Sequence, residues 1–179
     1  RRQRQMCIRD SGVYVRPGIP EFLRAHALPR ADFATPNPFE LKHLTGRSCA
    51  TLEQVKAAVA DLQTALRPDG PRSVLVSGLG TDMTPPGAVD LLAAEGGHFH
   101  LLRTPLLPLS VNGAGDALAA LFLFHRLETG SAAAALEAAG ASIHGLLRRT
   151  AEAGSREILI VAAQEEFVAP SARFRAVPC

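Results

Sequence analysis

No apolar run reaches the ~18 residues that a membrane-spanning helix requires, because Arg, Glu, Asp or Gly interrupts every one. No signal peptide is expected either: the first ten residues hold four arginines, and no apolar segment follows them. Cysteine is scarce. Cys7, Cys49 and Cys179 are odd in number and far apart, which excludes a disulfide framework or a cysteine zinc site and favours a reducing compartment. Net charge is small, at +2. Residues 1–10 carry four basic side chains and one acidic one, so the remainder holds fifteen against sixteen and is nearly neutral. A nucleic-acid role would rest on that arginine-rich start alone. Internal repeats are also lacking. What remains is 179 residues, 47% hydrophobic and 20% charged, enough for one domain with a sizeable core.

The chain opens on Arg1 and not Met, and is expected to be incomplete. RRQRQMCIRDS resembles translated sequencing-adapter read-through, so residues 1–11 are set aside as a tail. From Gly12 onward, short apolar runs alternate with helical patterns. Gly12–Val15 reads as a β-like run, Pro20 to about His26 as a short helix, and Asp32–Ala34 as a brief strand stopped by Thr35-Pro36. Pro38–Thr45 predicts a helix ended by Gly46. Thr51-Leu-Glu-Gln54 is a capping-box pattern, followed by Val55, Val59, Leu62 and Leu66 at helical spacing. Ser73–Ser77 is a buried-type strand, and Gly78–Pro86 a loop. Ala88–Ala94 and His98–Arg103 flank a Gly-Gly hairpin turn. Two helices then meet at Gly130-Ser131, the second running to about Ala153, and Glu157–Ala162 predicts a last buried strand. The class is α/β, with a mixed, mostly parallel sheet and helices on both faces.

Three segments carry candidate chemistry. Asn112-Gly-Ala-Gly-Asp116 stands directly before a helix, where glycines permit close backbone approach and free N–H groups favour an anion. Gly113, Ala114 and Gly115 can form an anion hole for a transferring phosphoryl group with Asp116 as general base; equally, Asp116 can simply cap the helix. The pentapeptide is neither a Walker loop nor a dinucleotide fingerprint. Asn37 and Glu40 lie three apart across a helix start, suited either to phosphate and water-held Mg²⁺ or to a capping arrangement. Ser77–Thr84 is a Gly/Thr-rich loop at a strand's carboxyl end, a common ligand position in open α/β sheets or else a plain surface loop. His98 and His100 share a strand face without a third ligand at a sensible spacing, and read as exposed. His43, His125 and His144 read as helix-surface or packing residues.

In order and combination, TPNPFELKHLTG, SVLVSGLGTDMTP, NGAGDALAALFLFH and EILIVAAQEEFVAP resemble the C-terminal half of a pyridoxal kinase, within the ribokinase-like superfamily. The resemblance runs from Gly12 to the C-terminus and implies one ribokinase-like domain whose N-terminal half is missing. It implies ATP-dependent phosphorylation of the 5′-hydroxymethyl group of pyridoxal, pyridoxine or pyridoxamine, in vitamin B6 salvage, by a cytoplasmic homodimer without nucleic-acid or membrane partners. Asp116 would be the catalytic base, and Gly113, Ala114 and Gly115 the anion hole, with Ala114 where relatives often carry Thr or Val. Asn37 and Glu40 would serve the nucleotide, with Mg²⁺ reached from Glu40 through water. Thr35 and Ser77 would line the phosphate and K⁺ or Na⁺ region. Tyr14, Leu107 and Leu109 would line the nucleotide pocket. A hydroxymethylpyrimidine-type kinase with the same machinery, or a catalytically inactive fragment, are the alternatives.

Overall fold

The computed structural model describes residues 16–179 together with the backbone of residues 8–9 and 12–13. Ile8–Arg9 (β1) and Gly12–Val13 (β2) pair antiparallel. Tyr14, and most of the segment 1–11, lie outside the described residues. Ile19–Phe22 (α1) has Pro20 in its first turn and runs on through wider, then tighter, helical turns to Arg30. There follow Phe33–Ala34 (β3), Pro38–Thr45 (α2), Leu52–Ala65 (α3), Ser73–Leu79 (β4), Ala88–Glu95 (β5) and His98–Pro105 (β6). Ala114–Thr129 (α4), Ala132–Glu152 (α5), Glu165–Val168 (α6) and Ala176–Pro178 (β7) complete the order. Among the described residues no helix is long and apolar enough to cross a membrane.

The sheet runs β3-β4-β5-β6-β7 and is mixed, as expected. The expected predominance of parallel pairing is not found among the described strands. Only β3 and β4 are parallel, joined by a crossover through α2 and α3, while β4–β5, β5–β6 and β6–β7 are antiparallel. The β5–β6 hairpin closes on Glu95 opposite His98. Its two turn residues, Gly96 and Gly97, both have positive φ (58° and 81°), the geometry that matches the right-handed strand twist.

Period-two alternation sorts the strand side chains onto two faces. Val74, Val76, Leu92, Ala94 and Leu101 join Leu41 of α2 and Val55, Val59 and Leu62 of α3 in one core. Leu75, Leu91, Ala93 and Leu102 face the other way, against Leu118 and Phe122 of α4 and Leu136, Ala139, Ile143 and Leu146 of α5. A register shift between Val76 and Leu79 turns Leu79 back toward the first core. Each fully buried Leu or Val contributes about 1.5–3 kcal/mol, so helices hold both faces of the sheet.

One expected strand does not form. Glu157–Ala162 makes a single parallel bridge, Glu157 to Asn112, and then turns. Ile158 packs into the second core, but Ile160 and Val161 are 46% and 79% exposed. Pairing cannot propagate because the neighbouring chain has no strand to offer: after Asn112, Gly113 adopts φ 87° and the backbone winds straight into α4. The last strand is β7 instead, three residues long and antiparallel to β6.

Candidate active site

An open cleft of about 1660 Å³ lies where the turn after β3, the end of β4 and the start of α4 converge. It is lined by Thr35, Asn37, Glu40, Ser77, the Gly113–Gly115 turn and Asp116, which are thus brought together from three separated segments. Ser77 is placed by extension of the parallel ladder, its N–H donating to the Pro36 carbonyl at 3.3 Å. Leu107 and Leu109 lie outside the lining, and Tyr14 lies outside the described residues.

At α4 the N-terminal position is Gly113, in a left-handed conformation that glycine adopts without Cβ strain. The first N–H bonded within the helix is that of Ala117, to the Gly113 carbonyl at 3.0 Å, so the preceding amides precede the ladder. Asp116 occupies the first turn, where the helix dipole favours a carboxylate, yet no side-chain cap is formed. Among the described residues the exposed Asp116 carboxylate has no hydrogen-bond or ion-pair partner. The capping role open to it in the sequence is therefore not the one it takes.

Asn37 and Glu40 do form a capping box on α2. Asn37 Oδ1 accepts from the Glu40 N–H at 2.8 Å, and the Asn37 N–H donates to Glu40 Oε2 at 3.0 Å. The box fixes the Glu40 carboxylate at the cleft wall. Burial raises the Glu40 pKa; the Asn37 amide opposes that rise, and the negative charge of Asp116 adds to it. The Glu40 carboxylate therefore feels the charge of Asp116 from a different element across one cleft, and a bound cation would favour the ionised form of Glu40.

Of the Ser77–Thr84 segment only the first two residues, which belong to the end of β4, line the cleft. Ser77 and Gly78 reach the cleft, but Thr81 and Thr84 bond to each other, Thr84 Oγ1 donates to Asp90 at 2.7 Å, and Asp82 accepts from the Leu52 N–H at 2.9 Å at the head of α3. That stretch is structural. Sequence reasoning also missed Ser110 and Arg156, both lining the cleft. Arg156 precedes the bridge at Glu157, and a single bridged residue leaves no periodic pattern by which it could be found.

The model of the phosphomethylpyrimidine kinase family matches residues 6–160. The chain belongs to that family. Within this kinase family it is 57% identical over 168 residues to a pyridoxal kinase PdxY of Granulibacter bethesdensis, covering 94% of this chain and 59% of that one. It is 46% identical over 167 residues to a pyridoxal kinase PdxY of Deinococcus radiodurans, covering 92% and 56%. The chain thus spans somewhat more than half the length of these curated relatives. The Leishmania donovani pyridoxal kinase, solved in complex with ADP and pyridoxamine, superposes with a TM-score of 0.82 at 22% identity, covering 96% of this chain and 59% of that one. At that identity the likeness bears on the fold alone, which is the ribokinase-like mixed α/β arrangement.

Proposed function

We propose that the protein to which this chain belongs phosphorylates the 5′-hydroxymethyl group of pyridoxal and related vitamers from ATP, giving pyridoxal 5′-phosphate. The observation that carries the reading is Asp116, a carboxylate without a protein partner, set beside a glycine turn and free helix amides on a cleft. The names of the relatives at 57% and 46% identity supply the substrate class.

In this reading the vitamer hydroxyl approaches Asp116, which takes its proton as the oxygen attacks the γ-phosphorus. The new O–P bond forms as the bond to the β-phosphate oxygen breaks, and ADP leaves. The amides at Gly113, Ala114 and Gly115 stabilise charge on the transferring phosphoryl oxygens without having to reorganise. Glu40, held by Asn37, is the group suited to hold Mg²⁺ through water, since its carboxylate already sits in a cleft with excess negative charge. Mg²⁺ when bound supplies neutralisation of phosphate charge. Thr35 and Ser77 would line the phosphates and a K⁺ or Na⁺ ion. Cytoplasmic location and a homodimeric assembly belong to the same reading.

The family description names a phosphomethylpyrimidine kinase, which keeps in view a second reading, a hydroxymethylpyrimidine-type kinase with the same machinery. The test is to fuse the N-terminal portion of the Granulibacter relative ahead of residues 12–179 and offer pyridoxal and hydroxymethylpyrimidine with ATP and Mg²⁺. Phosphorylation of pyridoxal in preference to the pyrimidine supports the reading; the reverse preference replaces it, and inactivity toward both overturns it.

A further inference from the structure

We propose that Arg156 grips the phosphate chain of the nucleotide, an inference that rests on the phosphotransfer reading of the cleft. Among the described residues lining the cleft, Arg156 is the one basic side chain; the other charged liners are the carboxylates Glu40, Asp116 and Glu157. A polyanion entering such a wall meets repulsion that helix amides alone offset weakly. Arg156 is also uncommitted. Arg47, Arg67, Arg103, Arg126, Arg148 and Arg149 each pair with a carboxylate, whereas Arg156 is exposed and forms no ion pair or hydrogen bond among the described residues.

Its backbone, by contrast, is fixed. Glu157 bridges to Asn112, immediately before the glycine turn. Ser155 Oγ donates to the Glu157 carbonyl at 2.7 Å and accepts the Glu157 N–H at 3.1 Å. Ile158 sits so close to Gly113 that a Cβ there would lie 3.7 Å from its Cγ2. An anchored main chain thus holds a long, free guanidinium beside the amides of α4. A guanidinium binds two phosphate oxygens through its planar fork, which an ammonium cannot do.

The experiment uses the fusion of residues 12–179 to the N-terminal portion of the Granulibacter relative, with ADP and adenosine as probes, measured by titration calorimetry at low and high salt. The unsubstituted fusion binds ADP more tightly than adenosine. Arg156→Gln weakens ADP about tenfold, a loss in the range of one charge-assisted contact, and leaves adenosine unchanged. Arg156→Lys recovers part of the loss, and ADP affinity falls more steeply with salt in the unsubstituted fusion than in Arg156→Gln. Equal weakening of both probes, or no weakening of ADP, overturns the assignment of Arg156 and leaves the phosphotransfer reading standing. No ADP binding by the unsubstituted fusion overturns both.

Discussion

Removing Arg103 is expected to cost the fold more than removing the charge of its partner, Asp90. The two face each other across the β5–β6 ladder. Asp90 is 1% exposed at its side chain and accepts from Arg103 Nε at 2.7 Å, Arg103 Nη2 at 2.8 Å and Thr84 Oγ1 at 2.7 Å. Arg103 is 40% exposed and also donates to the Met83 carbonyl at 2.7 Å. Arg103→Met keeps the apolar stem but leaves the buried carboxylate with one hydroxyl donor, and breaking a buried pair in this way costs about 3–5 kcal/mol. Asp90→Asn keeps an acceptor in place, and the guanidinium left behind already reaches water, so the cost falls to about 1–2 kcal/mol. The double substitution should cost little more than Asp90→Asn alone, because the groups share one interaction. Urea unfolding followed by far-UV circular dichroism measures all three. Arg103→Met costing less than Asp90→Asn, or simple additivity, would refute the reasoning.

Glu40→Gln keeps an acceptor for the Asn37 amide and removes a carboxylate whose pKa is raised in the folded state. A raised pKa stabilises below the unfolded value near 4.5 and loses that stability as pH rises through the folded value, so the variant should melt higher than the parent at pH 7.5, with the gap closing toward pH 4. His144 has neither ring nitrogen hydrogen-bonded, packs edge-on to Phe174 at 4.9 Å, and has its pKa lowered by burial and by Arg148, against Glu166. Stability tied to it is present above about 6.5 and lost as pH falls toward the folded value; His144→Leu should flatten the melting temperature between pH 7 and 5, and an unchanged slope would dismiss the effect. A methyl on Gly145 would collide with the Glu166 carboxylate, which is 1% exposed and bonded to the Ser171 N–H and Oγ at 2.8 Å; Gly145→Ala should lower stability by about 1–3 kcal/mol, and a neutral result would mean that α6 shifts freely.

Local signals with one dominant cause were legible in the sequence. Thr51 and Gln54 form the expected capping box, Pro38–Thr45 is the expected helix stopped at Gly46, and Ser131 caps α5 through the Ala134 N–H. The Gly-Gly hairpin falls where its turn chemistry puts it. Features that depend on a neighbour were not legible. EILIVA has strand composition, but its would-be partner at Asn112 turns at once into α4. Ala176–Pro178 is too short and too proline-bound to signal a strand, and forms because the edge of β6 is open to it. The site shows the same division. Gly113–Asp116 and Asn37–Glu40 are motifs, readable in line; their convergence on one cleft, and the arrival of Arg156 there, are consequences of the sheet.

The most direct measurement is the turnover of Asp116→Asn in the fusion of residues 12–179 to the N-terminal portion of the Granulibacter relative. Pyridoxal 5′-phosphate formation is followed with ATP and Mg²⁺, and ATP affinity is measured alongside. If Asp116 takes the hydroxyl proton, kcat falls by about 10²–10⁴ while ATP affinity stays within a few-fold of the unsubstituted fusion. Turnover of pyridoxal at a near-normal rate by the Asp116→Asn variant would remove the base from the mechanism and with it the central claim.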